Sequence, residues 1–265
     1  MGPKRTFSGY QVTMIQDNFA GLNVVVTGGA GGLGQAIVSA FAARGATVIS
    51  ADLAASGDIS TDGKIIERTL DVTSEDSWIA LMDYIDRELG GIDVLVNNAG
   101  IYRPNIPFED IPLQMWQKHF AINSDGVFLG CKHAIRRMKV KGNGGAIVNM
   151  GSGMSITANP TGAAYCGSKA AVLMTTRTAA RAAGRYGVRV NAVLPGAVPT
   201  EMLMGNKLDG ESDGDFLAKM ETYSPLGRLA TPEDIANSVL FLADPANKAV
   251  SGVFIPVDGG NIPGA

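Results

Sequence analysis

Cysteine and histidine are scarce in this sequence, since each occurs only twice among 265 residues. Cys131 and Cys166 do not have the spacing of a metal site or a redox pair, and Cys166, although next to Tyr165, is not expected to be a catalytic thiol. His119 and His133 have no acidic or cysteine partner at ligand spacing. We therefore expect no metal, two reduced thiols in a cytoplasmic protein, and histidines that lie on the surface or in helix packing.

Positive charge and long apolar runs are also lacking. The formal net charge is −3, which argues against a nucleic-acid partner. No run approaches the roughly 18–20 apolar residues of a membrane-spanning helix, so no membrane partner is expected. Lys4 and Arg5 have no apolar segment behind them, as a secretory signal would require. Residues 1–20 are instead predicted to form a loose N-terminal arm.

The chain contains a regular alternation of short apolar strands and amphipathic helices. The predicted strands cover residues 23–27, 47–51, 65–70, 93–97, 146–150, 188–194 and 253–257. The predicted helices begin near Leu33, after a cap at Thr73, and cover about 113–138, 163–186 and 232–242. This alternation is typical of a parallel sheet covered on both faces. We predict an α/β fold in which residues 21–265 form one doubly wound domain.

Two stretches of this domain are predicted to contact small molecules. The first strand is followed by Gly28-x3-Gly32-x-Gly34, where glycine lets the backbone approach a pyrophosphate at a helix N-terminus. A plain strand–helix turn is the alternative. About residues 197–228 lack a clean period and are expected to form a substrate lid over the carboxyl end of the sheet.

Asp52 ends the second strand, 18 residues after Gly34 (52 − 34). A carboxylate at this place can accept hydrogen bonds from a ribose 2′-hydroxyl and repel a 2′-phosphate. An exposed turn aspartate is the alternative. The glycine turn has no lysine or arginine that could hold a 2′-phosphate, which favours NAD as the cofactor.

Tyr165 and Lys169 are four residues apart in a predicted helix, so they share a face. The lysine cation is expected to lower the pKa of the tyrosine towards the working range. Ser152 follows the fifth strand, which would place its hydroxyl at the carboxyl end of the sheet. This set can move a proton to or from an alcohol oxygen, although an ordinary exposed Tyr/Lys pair has the same spacing.

These motifs, with Asn97-Asn98-Ala99-Gly100, Asn123 and Pro195-Gly196, follow the order and spacing of the short-chain dehydrogenase/reductase family, which the chain resembles from about residue 20 to 260. The resemblance implies a Rossmann-type sheet of seven parallel strands. It implies that Tyr165 is the general acid/base, that Lys169 binds the nicotinamide ribose and tunes Tyr165, and that Ser152 orients the reacting oxygen. Asn123 would hold a water in a proton relay to Lys169.

The resemblance also implies a set of contacts with NAD. The implied contact residues are Gly28, Gly32, Leu33, Gly34, Asp52, Leu53, Asp71, Val72, Asn98, Ala99, Gly100, Tyr165, Lys169, Pro195, Gly196, Val198 and Thr200. It further suggests a homotetramer or homodimer through helices 113–138 and 163–186, the second of which is rich in alanine.

The substrate is expected to be a small molecule held by apolar walls. The residues predicted to bound its pocket are Met154, Ile156, Ala158, Met202, Leu203 and Met204. Such walls favour a cyclic or bulky hydrophobic secondary alcohol, or its ketone, as the substrate of an NAD(H)-dependent oxidoreductase. Arg103 could instead anchor a carboxylate if it pointed inward.

Three other functions stay open at this point. An epimerase or dehydratase of the family's extended branch uses a similar Tyr/Lys pair and retains its NAD. A ketoacyl reductase usually prefers NADPH, which Asp52 disfavours. A non-enzymatic dinucleotide sensor would not need Tyr165, Lys169 and Ser152, and all three are present.

Overall fold

The predicted strands hydrogen-bond side by side into one parallel sheet. A computed structural model describes residues 18–262 except 59, 61, 62, 104 and 209. In chain order the strands are β1 (Asn23–Thr27), β2 (Thr47–Asp52), β3 (Ile65–Thr69), β4 (Val94–Asn97), β5 (Gly145–Met150), β6 (Val188–Pro195) and β7 (Phe254–Val257). Their order across the seven-stranded sheet is β3-β2-β1-β4-β5-β6-β7. The predicted α/β fold class is therefore confirmed.

Helices cover both faces of this sheet because its strands are apolar on both sides. In chain order they are α1 (Gly32–Ala42), α2 (Glu75–Leu89), α3 (Leu113–Phe120), α4 (Gly126–Lys141), α5 (Ala163–Ala183), α6 (Glu201–Met204), α7 (Asp213–Glu221) and α8 (Pro232–Ala243). Val24 and Val26 of β1 pack with α1 and α8, whereas Val25 packs on the opposite face with α2, α4 and α5. None of the helices in the described part of the chain is long and apolar enough to cross a membrane.

The order of the strands places a crevice at the carboxyl end of β1. The chain moves outward from β1 to β2 and β3, and then returns to place β4 on the other side of β1. The connections after β1 and β4 therefore leave in opposite directions. In open α/β sheets, ligands bind at this point of reversal.

Three predicted details differ from the structure. The helix expected over 113–138 is interrupted by a π-helical turn at Ala121–Asp125, which separates α3 from α4. Thr73 is not the cap of α2, because the backbone N–H of Ser77 donates to the Ser74 hydroxyl instead. Residues 197–228 contain two short helices, α6 and α7.

The predicted N-terminal arm lies mostly outside the described residues, and Phe19 near its end belongs to the packed core. Phe19 is 1% exposed, and its ring meets that of Phe41 edge-on with 4.8 Å between centroids. The backbone N–H of Phe19 also donates to the carbonyl of Arg44 at 3.3 Å. The predicted arm therefore extends too far, since Phe19, next to the boundary at residue 20, is buried.

We predict that Phe19→Ala destabilises the protein by about 3–5 kcal/mol, because it leaves a cavity beside Phe41. Urea denaturation would measure the change in the free energy of unfolding. Phe108→Ala is the matched control, since Phe108 is 71% exposed and its loss should cost about 0.5 kcal/mol or less. Equal effects of the two substitutions would contradict the assignment of Phe19 to the core.

Candidate active site

A cavity of about 1230 Å³ opens at the carboxyl end of the sheet. All the residues predicted to contact the dinucleotide line it, from Gly28 to Thr200, and so does Ser152. The sequence separates these residues by up to 172 positions (200 − 28), and the parallel strands bring them together because their carboxyl ends share one edge of the sheet. The volume of the cavity is above the roughly 300–1,000 Å³ of an ordinary small-molecule pocket.

The glycine turn forms a cradle that larger side chains would fill. Gly28 has φ +64°, and a Cβ atom at Gly34 would lie 2.0 Å from the carbonyl oxygen of Gly28. Gly31 precedes α1 in an extended conformation and provides no side-chain cap for its first N–H groups. These N–H groups and the helix dipole are therefore available to a phosphate.

Asn98 ties this turn to β4. Its side-chain amide donates to the carbonyl oxygens of Thr27 and Gly28 at 2.9 and 3.1 Å. The Thr27 hydroxyl accepts hydrogen bonds from the backbone N–H groups of Asn98 and Ala99, both at 3.0 Å. The two strand ends on either side of the crevice are thereby held at a fixed separation.

The Asp52 carboxylate is held in place at the end of β2. One oxygen accepts from the backbone N–H of Ala30 in the glycine turn at 3.1 Å, and the other accepts from that of Ala54 at 3.2 Å. Asp71 is fixed in the same manner after β3, where it accepts from the backbone and hydroxyl of Thr73. Leu53 is 71% exposed beside Asp52, in the cavity wall.

Ser152, Tyr165 and Lys169 meet where β5 ends against α5. Ser152 is buried, and its side chain lies close enough to Tyr165 to act on the pKa of that residue. Lys169 is 4% exposed, and its Nζ donates to the carbonyl oxygen of Met150 at 2.8 Å. The same Nζ is 5.9 Å from the centre of the Tyr165 ring, in agreement with the four-residue spacing.

Asn123 lies behind this group, on the π-helical turn. Its side-chain oxygen accepts from the backbone N–H of Ile101 at 2.9 Å, and its amide donates to the Ile101 carbonyl and the Ser168 hydroxyl, both at 3.0 Å. Asn123 is fully buried and does not itself line the cavity. The extra residue of the π turn, which no sequence periodicity indicated, rotates Asn123 towards the loop after β4.

The expected direction of the Tyr165 pKa is wrong for this structure. Burial raises the pKa of Tyr165 to about 12, although the side chain of Ser152 acts in the opposite direction. Burial also lowers the pKa of Lys169 to about 8. Sequence spacing predicted the proximity of the two groups but not their desolvation, which here has the larger effect on both.

The substrate end of the cavity agrees only partly with the predicted walls. Met154, Ala158, Met202 and Leu203 line it, whereas Ile156 is 51% exposed and Met204 does not reach the cavity. Arg103 is exposed and outside the cavity, so it does not anchor a ligand there. Sequence reasoning missed Tyr102, Asn159 and Phe216, which do line it. They lie in loops and in the lid, where no periodicity identifies an inward side.

The remaining predicted candidates are structural. His119 and His133 are 0% and 3% exposed, so they pack between helices and do not lie on the surface. Cys131 is buried, and burial raises its pKa to about 12, which keeps it a thiol. Among the described residues, no cluster of three or more histidine, cysteine, aspartate or glutamate side chains could hold a metal ion.

Residues 28–261 match a protein-family model described as enoyl-(acyl carrier protein) reductase. The chain is 39% identical to cis-4-hydroxycyclohexanecarboxylate dehydrogenase of Sinomonas cyclohexanicum, over 91% of this chain and 97% of that protein. It is 36% identical to 2,5-dichloro-2,5-cyclohexadiene-1,4-diol dehydrogenase of Sphingobium indicum, over 92% and 97%. It is 35% identical to an NADP-dependent (R)-specific alcohol dehydrogenase of Lentilactobacillus kefiri, over 92% and 98%.

A comparison with solved structures agrees with the fold described above. The crystal structure of a short-chain type dehydrogenase/reductase from Mycobacterium marinum superposes with a TM-score of 0.83 at 32% identity. The superposition covers 92% of this chain and 97% of that one. The unmatched part is therefore small on both sides.

We predict that Lys169→Met stabilises the folded protein at pH 7 by about 1–3 kcal/mol, because it removes a buried cation and loses one hydrogen bond. The pKa of Lys169 falls from 10.5 to about 8 on folding. Between these pH values Lys169 is protonated in the unfolded chain and neutral in the folded one. The free energy of unfolding of the wild type therefore rises with pH across this window. The stability gap should accordingly narrow from pH 8 towards pH 10.

Denaturant unfolding at several pH values would measure this gap. Lys248→Met is the matched control at an exposed lysine and should show no such narrowing. A gap between Lys169→Met and the wild type that is constant from pH 7 to pH 10 would contradict the desolvation of Lys169.

Proposed function

Since the chain belongs to the short-chain dehydrogenase/reductase family and is an oxidoreductase of that family, we propose that it interconverts a cyclic secondary alcohol and its ketone with NAD(H). The observation that carries this proposal is the meeting of Ser152, Tyr165 and Lys169 in one cavity with the glycine turn. A proton-transfer group and a dinucleotide cradle in the same cavity are what hydride transfer to a carbonyl requires.

The chain's residues fit a dinucleotide along one side of the cavity. The cradle at Gly28 and Gly34 has no room for a Cβ atom, and the uncapped start of α1 offers N–H groups to a pyrophosphate. Asp52 would accept hydrogen bonds from the adenosine ribose. Lys169 would bind and orient the nicotinamide ribose. When bound, the nicotinamide supplies the hydride acceptor for alcohol oxidation, or the hydride donor for ketone reduction.

Tyr165 is proposed to be the acid/base group in this reaction. In alcohol oxidation the phenolate oxygen of Tyr165 would take the proton of the substrate hydroxyl, while a hydride leaves the carbon that carries this hydroxyl for the nicotinamide. In ketone reduction Tyr165 would return a proton to the carbonyl oxygen. Ser152, whose side chain is close enough to act on the pKa of Tyr165, would hold the reacting oxygen beside it. The Lys169 cation would favour the ionised form of Tyr165 against the effect of burial, which raises the pKa of Tyr165 in this structure. Asn123 would extend the proton path behind Lys169.

NAD is proposed over NADP because Asp52 is a fixed carboxylate. Its two oxygens are held by the backbone of Ala30 and Ala54, so it cannot easily turn away from a 2′-phosphate. The negative charge of a 2′-phosphate would therefore be repelled by the negative charge of Asp52. The relative from Lentilactobacillus kefiri is NADP-dependent, so the cofactor differs among proteins similar to this chain.

A cyclic substrate is proposed on two grounds. The substrate names of two relatives describe six-membered carbon rings. Met154, Met202 and Leu203 give the cavity apolar and adaptable walls that suit such a ring. The description of the matching family model names an acyl-carrier-protein reductase. The relatives named above, at 35–39% identity, are alcohol and diol dehydrogenases. We therefore propose an alcohol, and not an acyl thioester, as the substrate.

We also propose that the protein is a homodimer or homotetramer through α3, α4 and α5. Trp116, Phe128 and Met174 on these helices are 36%, 55% and 61% exposed. Because α3 and α4 both contact α5, these side chains lie on neighbouring helices, and a large exposed apolar patch is typical of an interface. Light scattering should give two or four times the chain mass of 27.5 kDa at micromolar concentration. A stable monomer would contradict this assembly.

We predict that Tyr165→Phe lowers kcat by about 10²–10⁴, because it removes the acid/base hydroxyl and retains the ring. NADH-absorbance assays with cyclic secondary alcohols would measure kcat, and fluorescence titration should show that NADH still binds. Tyr84→Phe is the control, since the Tyr84 hydroxyl bonds to Arg68 away from the cavity. A kcat close to wild type in Tyr165→Phe would remove Tyr165 from the mechanism.

We predict that kcat/KM is higher with NAD than with NADP, and that Asp52→Asn reduces this preference by about ten- to a hundredfold. The reason is that the substitution retains the size of the side chain and removes its charge. Asp76→Asn, at an exposed aspartate outside the cavity, should leave the ratio unchanged. A wild-type preference for NADP would overturn the cofactor assignment.

A further inference from the structure

Tyr102 is a second tyrosine in contact with the proposed acid/base group. It lies in the loop after β4, and its ring is 4.4 Å from that of Tyr165, at an angle of 45°. Both side chains line the substrate end of the cavity. A molecule that presents an oxygen to Tyr165 therefore lies close to Tyr102 as well. Tyr102 has no role in the proposed proton transfer.

Asn159 fixes the hydrogen-bonding role of the Tyr102 hydroxyl. The side-chain oxygen of Asn159 accepts from the backbone N–H and the hydroxyl of Thr161 at 3.0 and 3.1 Å. Since a backbone N–H can only donate, these bonds identify the oxygen and direct the Asn159 amide towards Tyr102, to which it donates at 3.0 Å. The Tyr102 hydroxyl accepts this bond, so its own proton is available to another acceptor.

The available donors at this place carry no charge. Burial raises the pKa of Tyr102, so its hydroxyl keeps its proton at neutral pH. Asn159 has a second amide hydrogen beside it. The nearby Arg103 is exposed and outside the cavity, so it does not supply a cation. Lys118, Lys169 and Lys219 line the cavity, but the hydrogen bond of Lys169 goes to Met150 and that of Tyr102 comes from Asn159. Two neutral donors suit a hydroxyl or carbonyl oxygen, whereas a carboxylate would bring an uncompensated charge.

From this arrangement we propose that Tyr102 and Asn159 bind a second, uncharged oxygen of the substrate, so that the enzyme acts on a cyclic diol or hydroxyketone and discriminates against the simple alcohol. This specificity rests on the proposed dehydrogenase function. The apolar walls contact the carbon ring, Tyr165 and Ser152 hold the reacting oxygen, and the Tyr102–Asn159 pair holds the other one. A site built to hydrogen-bond a substrate hydroxyl rejects the analogue that lacks it, because its donors then stay unpaired.

The test compares kcat/KM for cyclohexanol, the 1,2-, 1,3- and 1,4-cyclohexanediols and 4-hydroxycyclohexanecarboxylate, each with NAD and with NADP. At least one diol should exceed cyclohexanol by about tenfold in the wild type. Tyr102→Phe should lower kcat/KM for that diol about tenfold more than for cyclohexanol, mainly through KM, because it removes only the donor. Tyr186→Phe, a control tyrosine outside the cavity, should leave the ratio of the two substrates unchanged.

Asn159→Asp separates this role from a merely structural one. The carboxylate would still accept from Thr161, but it would also accept from the Tyr102 hydroxyl and so withdraw that proton from the substrate. The diol preference should therefore fall in Asn159→Asp as it does in Tyr102→Phe, although Tyr102 is unchanged.

The outcomes distinguish the two proposals. An active wild type with equal kcat/KM for cyclohexanol and every diol would overturn the second-oxygen site and leave the dehydrogenase function intact. A Tyr102→Phe variant that loses the same factor on both substrates would do the same. Highest kcat/KM with 4-hydroxycyclohexanecarboxylate would overturn the assignment to an uncharged oxygen. No turnover of any alcohol with either cofactor would overturn the proposed function, and with it this inference.

Discussion

The hydrogen bonds between Asn98 and the end of β1 hold the rest of the site in register. They join the two strands on either side of the point where the chain reverses its direction across the sheet. The glycine turn begins on one side of these bonds, and the loop with Tyr102 begins on the other. A shift between β1 and β4 would therefore separate the dinucleotide cradle from the wall of the substrate pocket. Parallel strands alone do not fix this distance, because their hydrogen bonds end where the loops begin.

A buried polar layer extends the same constraint to α5. Asn97 at the end of β4 donates to the side chain of Asn149 in β5, which donates to Thr176 in α5. Each of these groups is buried, so each requires its partner. The layer fixes α5 against the sheet and hence the position of Tyr165 and Lys169. This packing places Lys169 in a site that disfavours its charge. Such a cost in stability is typical of functional sites.

Sequence predicted the parts of the site that depend on local geometry. Gly28, Asp52 and Ser152 could be placed because each follows a strand, and the carboxyl ends of parallel strands share one edge. The four-residue spacing of Tyr165 and Lys169 likewise gave their shared face. The sign of the Tyr165 pKa could not be predicted, since it depends on desolvation by residues distant in the chain. Asn123 was identified by resemblance alone, because a π turn leaves no periodic signal.

The division between what could and could not be predicted follows the two ends of the cavity. The dinucleotide end is formed by backbone groups and strand ends, whose position is a consequence of the fold. The substrate end is formed by loops and the lid, where Ile156 and Met204 were wrongly placed inside and Tyr102 and Asn159 were missed. A side chain in a loop faces inward for reasons of tertiary contact, such as the bonds from Thr161 that orient Asn159. The proposed choice of substrate therefore depends on contacts that no sequence period encodes, whereas the proposed reaction depends on contacts that the sheet itself sets.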